Sequence, residues 1–143
     1  MLEEKKFNVT ENHLPTLIHG EDHKGASLYT ISFAANLCTQ GLKLVALSGY
    51  TMAREEFQKQ VGDLGDKAIF YTKDEVAEFL SHIEKINGEI VLLKNVDLFN
   101  EDIFNQVSKA KKYIISGDIS KCAFKDKILA KNFSTKVFFS KLD

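Results

Sequence analysis

Pro15-Thr16-Leu17-Ile18-His19-Gly20-Glu21-Asp22-His23-Lys24-Gly25-Ala26-Ser27 is the stretch on which the reading of this chain turns. A short apolar run ends at Gly20, four residues separate Gly20 from Gly25, and a helical pattern follows Ser27. Gly20 to Ser27 keeps the spacing G-x-x-x-x-G-K-[ST] of a phosphate-binding P-loop, with Ala26 at the lysine position. In an intact loop the backbone N–H groups and the helix N-terminus wrap the phosphates, the lysine reaches them, and the hydroxyl binds Mg²⁺. Here Gly20, Gly25 and Ser27 remain, Ala26 carries no charge, and Lys24 lies two positions earlier. Glu21 and Asp22 place two carboxylates where a polyanion needs positive charge. The alternative reading is an ordinary strand-to-helix turn, in which Gly25 and Ser27 serve only the turn and the cap.

Working outward, strands and helices alternate. Leu17 and Ile18 form the heart of a buried strand, and residues 27–42 read as a helix with Leu28, Ile31, Ala34, Ala35, Leu37 and Cys38 at helical spacing. Gly41 ends it as a left-handed residue. Residues 43–48 are almost all apolar, as a strand covered on both faces should be. Thr51 opens a helix through Val61, residues 68–71 form a strand, and Thr72 or Lys73 begins a helix burying Val76, Phe79, Leu80, Ile83 and Ile86. Asn87-Gly88 closes it; residues 89–94 and 113–116 are strands flanking a helix near 100–109, and a short helix at 122–131 precedes a last strand at 135–139.

This order predicts one three-layer α/β domain over residues 15–143, after an N-terminal extension at 1–14, with a mainly parallel sheet, right-handed crossovers and helices on both faces. Ligands of such folds sit at the carboxyl ends of the strands, an edge that collects residues 19–27, 48–51, 94–97 and 116–121.

From Pro15 to Asp97 the chain resembles the core of RecA-like P-loop ATPases, especially the RadA, KaiC and DnaB-helicase group. The likeness rests on Leu17-Ile18-His19-Gly20, on Phe33-Ala34-Ala35-Asn36-Leu37 with Gln40-Gly41-Leu42-Lys43, and on Leu47-Ser48-Gly49-Tyr50-Thr51-Met52-Ala53-Arg54-Glu55-Glu56 after the second strand. Ile90-Val91-Leu92-Leu93-Lys94-Asn95-Val96-Asp97-Leu98 resembles the Walker B strand. The resemblance implies a RecA-like sheet, and it also shows what is missing. The P-loop lysine corresponds to Ala26, the water-activating carboxylate to Tyr50, and the magnesium-holding aspartate to Lys94. Phosphoryl transfer depends on positioning and on cationic stabilisation of spreading negative charge, so losing all three leaves little of that machinery.

The expectation is therefore a non-catalytic pseudo-ATPase with no required cofactor. It would act as a binding or assembly subunit beside a protein partner or a second copy, in DNA replication, recombination or repair. Lys94 could pair with Glu21 or Asp22 in an empty site. The alternatives are ATP or ADP held without hydrolysis, with Lys24 in place of the missing lysine, and Asp97 as a displaced metal ligand rather than a loop or cap residue.

Charge is uneven. Residues 1–108 carry 10 Lys and Arg against 17 Asp and Glu, net −7, whereas residues 109–143 carry 9 Lys against 3 Asp, net +6. Such asymmetry fits an anionic partner or head-to-tail self-association. Lys121, Lys125, Lys127 and Lys131, with Phe124 and Phe133 between them, form a candidate single-strand nucleic-acid contact. The alternative is a lysine-bearing outer face with the phenylalanines turned to the core. His13, His19, His23 and His82 do not cluster, and no metal site is expected. Cys38 and Cys122 lack metal-ligand spacing, and no apolar run approaches a membrane span or a signal peptide. These features predict a cytoplasmic protein without a membrane segment.

Overall fold

The computed structural model describes residues 9–21, 25–62 and 67–142. Lys24, with Asp22 and His23, lies outside the described residues.

Six strands form one all-parallel sheet: β1 Thr16–His19, β2 Leu44–Ser48, β3 Ala68–Thr72, β4 Ile90–Lys94, β5 Tyr113–Gly117 and β6 Thr135–Phe138, in spatial order β3-β2-β4-β5-β1-β6. Between them run α1 Ala26–Thr39, α2 Met52–Val61, α3 Val76–Ile83, α4 Glu101–Val107 and α5 Lys125–Leu129. Every strand pair is parallel, so each connection is a crossover. The connections that follow β1 and β2 travel one way across the sheet and the later three travel the other way. A constant right-handed crossover then sends α1 and α2 to one face and α3, α4 and α5 to the opposite face.

The core confirms this division through the period-two alternation of the strands. Ile18, Ala46, Leu92 and Ile114 pack with α1 and α2 through Ile31, Phe33, Leu37, Ala53 and Phe57. Leu17, Leu47, Leu93 and Ile115 pack with the later helices through Phe79, Ile103, Phe104, Val107 and Ile128. The central strands are buried along their whole length, which is why they read as unbroken apolar runs.

The local signals hold at several boundaries. Gly41 follows α1 with φ +93°. The Thr72 backbone N–H donates to Glu75 at 3.0 Å, one half of a capping box ahead of α3. Asn100 accepts from the Ile103 N–H at 3.1 Å to cap α4. Residues 9–14, placed by sequence in the N-terminal extension, pack onto the domain: Val9 and Leu14 are buried in the α1 core. Among the described residues no helix is long and apolar enough to cross a membrane.

Candidate functional site at the carboxyl edge of the sheet

Adjacent strands whose connections leave to opposite faces open a crevice at their carboxyl ends. In this sheet β1 lies beside β5, and β2 beside β4, in that relation. Gly20, Ala26 and Ser27 therefore face the ends of β4 and β5, together with Lys94.

A small cavity of about 20 Å³ marks the place. Gly20, Ala26, Ser27 and Thr30 line one side; Lys94, Asn95, Ser116 and Gly117 line the other. Its enclosed part has room for about one water molecule. Gly25 opens α1 with φ +84°, a conformation that favours glycine. A Cβ on Gly20 would meet the Ala26 Cβ at 2.5 Å and the Phe139 Cβ at 3.0 Å, so this glycine lets the first turn of α1 close onto the end of β1. Ser27 is exposed at the rim, and Glu21 is exposed, with its backbone N–H donating to Ser140 Oγ at 3.1 Å.

Strand register explains how Lys94 reaches the loop. Ser48, Lys94, Ser116 and Ile18 are partners across four adjacent strands, on the face covered by α1 and α2. Two serines flank the lysine and leave space for its long side chain. Lys94 is only 3% exposed, and its ammonium donates to Asn95 Oδ1 at 3.2 Å. The sequence pointed to Glu21 or Asp22 as its partner; the described geometry supplies Asn95, and Asp22 lies outside the described residues.

Asn95 was not anticipated. It adopts φ +67°, which Asn tolerates better than most side chains, and turns its amide back over the sheet edge. Its Oδ1 accepts from Lys94 Nζ and from the Gly49 N–H at 3.2 Å, and it lies 3.3 Å from Ser48 Oγ, whose single proton is closer to the Tyr50 carbonyl. Ser48 Oγ in turn donates to the Tyr50 carbonyl at 2.9 Å and accepts the Tyr50 N–H at 3.2 Å. One amide thus ties the end of β4 to the turn after β2. The available signal was an Asn directly after a buried strand, a residue type that accepts left-handed backbone. Tyr50 has its backbone pinned and its side chain about half exposed.

Asp97 is a latch between β4 and β5: its Oδ1 accepts the Asp118 N–H at 3.1 Å. This is the loop role that sequence offered as an alternative to metal binding. His19 is fully buried at the end of β1, and its Nδ1 accepts the Ile119 N–H at 3.0 Å, which places the ring proton on Nε2. Among the described residues no three His, Cys, Asp or Glu side chains come together as a metal-ligand set.

The lysines of the C-terminal quarter sit elsewhere. Lys121 lies 3.8 Å from Asp118, and Lys127 pairs with Glu101. Lys125 is half-buried and Lys131 is exposed. Phe124 packs on Phe104 with ring centroids 5.8 Å apart, and Phe133 packs on Tyr113 at 5.9 Å. Both rings are partly buried and pack against the core on that face.

Both thiols are buried. Burial raises Cys38 from its ordinary 9.0 to about 11, against a smaller opposing effect of Lys67. Burial, helped by the charges of Asp97 and Asp118, raises Cys122 to about 12. The folded state therefore keeps protons that the unfolded chain releases. The stabilisation is complete below pH 9 and is lost as pH rises toward 11 and 12. Between those limits each thiol should remove about 1.4 kcal/mol per pH unit. Unfolding free energies from urea titrations at pH 8 and pH 10 should differ by about 2–3 kcal/mol in total, and Cys38→Ala should flatten the dependence.

No protein-family model matches the chain, and no curated protein matches it.

Proposed function

We propose that this protein is a non-catalytic, RecA-like pseudo-ATPase that works as a binding or assembly subunit. The observation that carries the reading is Lys94, a buried cation lining the cavity where an ATPase of this kind would hold metal and phosphate. An ammonium there repels a divalent metal, and it lies near the N-terminus of α1, where the helix dipole favours negative charge. Its placement is costly unless it is hydrogen-bonded, and Asn95 meets part of that need. The cradle is thus filled from within. Ala26 is tucked against Gly20 with no cation to offer, and Tyr50 presents a ring instead of a carboxylate.

The parallel strand order supports the reading, since it sets Gly20, the first turn of α1, the turn after β2 and the end of β4 on one edge. A domain with this edge and no turnover keeps a scaffold suited to holding a partner. Participation in DNA replication, recombination or repair belongs to the same proposal and rests on the resemblance alone.

Calorimetric titration with ATP, ADP and GTP, with and without Mg²⁺, is expected to show no binding heat, and ATP is expected to release no phosphate. Steady Mg²⁺-dependent turnover that disappears in Ser27→Ala overturns the proposal. Binding without turnover, lost in Lys24→Ala, would instead favour a nucleotide-holding protein.

A further inference from the structure

The two edges of the sheet are finished differently. In a parallel pair, alternate residues turn both backbone groups to the neighbouring strand, and the residues between them turn both outward. The Gly49 N–H donates to the Lys94 carbonyl at 3.3 Å, a phase of β2 that sets Phe70 and Thr72 among the outward residues of edge strand β3. One backbone group of each is taken up within the chain: the Arg54 guanidinium donates to the Phe70 carbonyl, and the Thr72 N–H donates to Glu75 at 3.0 Å. At the other edge the Phe139 N–H donates to the His19 carbonyl at 2.8 Å. That bond turns residues 137 and 139 toward β1 and leaves the backbone groups of Lys136 and Phe138 pointing out of the sheet. Among the described residues, nothing pairs with the N–H or C=O of either one.

An open edge of this kind is a template for an added strand. The side chains beside it indicate which strand. Lys136 and Phe138 stand on one face of β6, because Val137 and Phe139 turn to the α1 core. Phe138 is 52% exposed and meets the His19 ring edge-on, with centroids 6.1 Å apart. Lys131, Lys136 and Lys141 come before, within and after the strand, and all three are exposed. Lys112, Lys121 and Lys127 have carboxylate neighbours in Glu11, Asp118 and Glu101, whereas these three pair with none among the described residues. One acidic residue, Glu21, comes near, its backbone N–H on Ser140 Oγ past the end of the strand.

We propose that the outward edge of β6 binds an extended acidic segment of another protein as an added strand, with a carboxylate of that segment against Lys136 and an apolar side chain on Phe138. The inference rests on the binding-subunit reading and gives its partner a surface and a chemistry. A lysine on an edge strand discourages pairing with a second copy of the same edge. Such pairing would also bring together two chain quarters of net charge +6. An acidic strand removes that repulsion, so backbone bonds supply the affinity and the lysines select the partner.

Fluorescence anisotropy with a labelled, end-blocked synthetic peptide tests it. The peptide has a central isoleucine, a threonine on either side and a glutamate two residues away in both directions. It therefore presents the same pattern to β6 whether it runs parallel or antiparallel. It is expected to bind with a Kd below about 100 µM, and more weakly as salt is added. Lys136→Glu, at an exposed position, should weaken binding by about tenfold or more. Hydrogen exchange at the Lys136 and Phe138 amides should slow when the peptide binds. Two further peptides, N-methylated at alternate residues in the two possible phases, keep the charge, and one of them must lose the backbone bonds and bind at least about tenfold more weakly. Absence of binding up to about 1 mM overturns the proposal. So does unchanged affinity for Lys136→Glu, or for both methylated peptides, which would leave charge attraction without an added strand. Concentration-dependent protection of the two amides without peptide would place a second copy on the edge and equally overturn it. Nucleotide titration of the same samples separates the two readings, since Mg²⁺-dependent turnover with peptide binding intact removes only the pseudo-ATPase.

Discussion

Asn95→Ala is expected to cost about 3–5 kcal/mol of folding stability, the range for stripping partners from buried polar and charged groups. Lys94 Nζ and the Gly49 N–H donate to Asn95 Oδ1, and the Ser48 hydroxyl shares its one proton between that oxygen and the Tyr50 carbonyl. Alanine removes that acceptor, and it also tolerates φ +67° less well than asparagine does. A domain of this length has roughly 7–20 kcal/mol of stability in total, so the loss should be plain in a urea titration. Asn95→Asp keeps the acceptor and gives Lys94 an opposite charge, so it should be far milder. The pair Lys94→Met with Asn95→Ala isolates the cation. If the buried ammonium drives the penalty, the double variant is more stable than Asn95→Ala alone. If it is no more stable, the penalty comes from the backbone conformation and the two neutral donors, and the account of Lys94 as a costly internal occupant is wrong.

Gly117→Ala is expected to cost about 3–4 kcal/mol, from backbone strain plus overpacking. Gly117 has φ +144°, where residues with a Cβ are strained. The added Cβ would also stand 2.7 Å from Asp97 Oδ1 and 2.8 Å from the Val96 backbone nitrogen. The second contact is with backbone and cannot be relieved by a side-chain rotation. The first would push Asp97 away from the Asp118 N–H that it holds. Asp97→Ala, which removes only that hydrogen bond, should cost about 1–2 kcal/mol. An equal loss in the two variants would reduce Gly117 to an accessory of the latch. A larger loss in Gly117→Ala assigns the difference to backbone and close packing.

These two sites lie at the two junctions that hold the crevice together, β2 with β4 and β4 with β5. The positions that the resemblance marks as chemical make structural contacts in this fold. Ala26 packs on Gly20, Asp97 accepts a backbone N–H, and Lys94 hydrogen-bonds to its own neighbour. Substitutions there should therefore be read first in stability and in assembly.

The architecture was legible in the chain because its signals are local or periodic. Unbroken apolar runs such as Ile90–Leu93 mark strands covered on both faces, and alternation with helical segments leaves a parallel sheet as the economical arrangement. Gly41, Thr72 with Glu75, and the loop glycines are short-range devices whose reasons lie within a few residues. The absence of a lysine at position 26 and its presence at position 94 are likewise facts of sequence.

Tertiary structure decided what those residues touch. Strand order places Lys94 across β5 from the loop strand, and only register sets Ser48 and Ser116 on either side of it. Asn95 becomes the acceptor for Lys94 and Gly49 because the turn after β2 closes over it, a contact between residues 46 apart in sequence. Phe124 and Phe133 had two readings in the sequence, and only the tertiary structure shows them packed against Phe104 and Tyr113. Periodicity reports which face of an element is apolar. It does not report which distant side chain meets a polar group, since that depends on how crossovers order the strands.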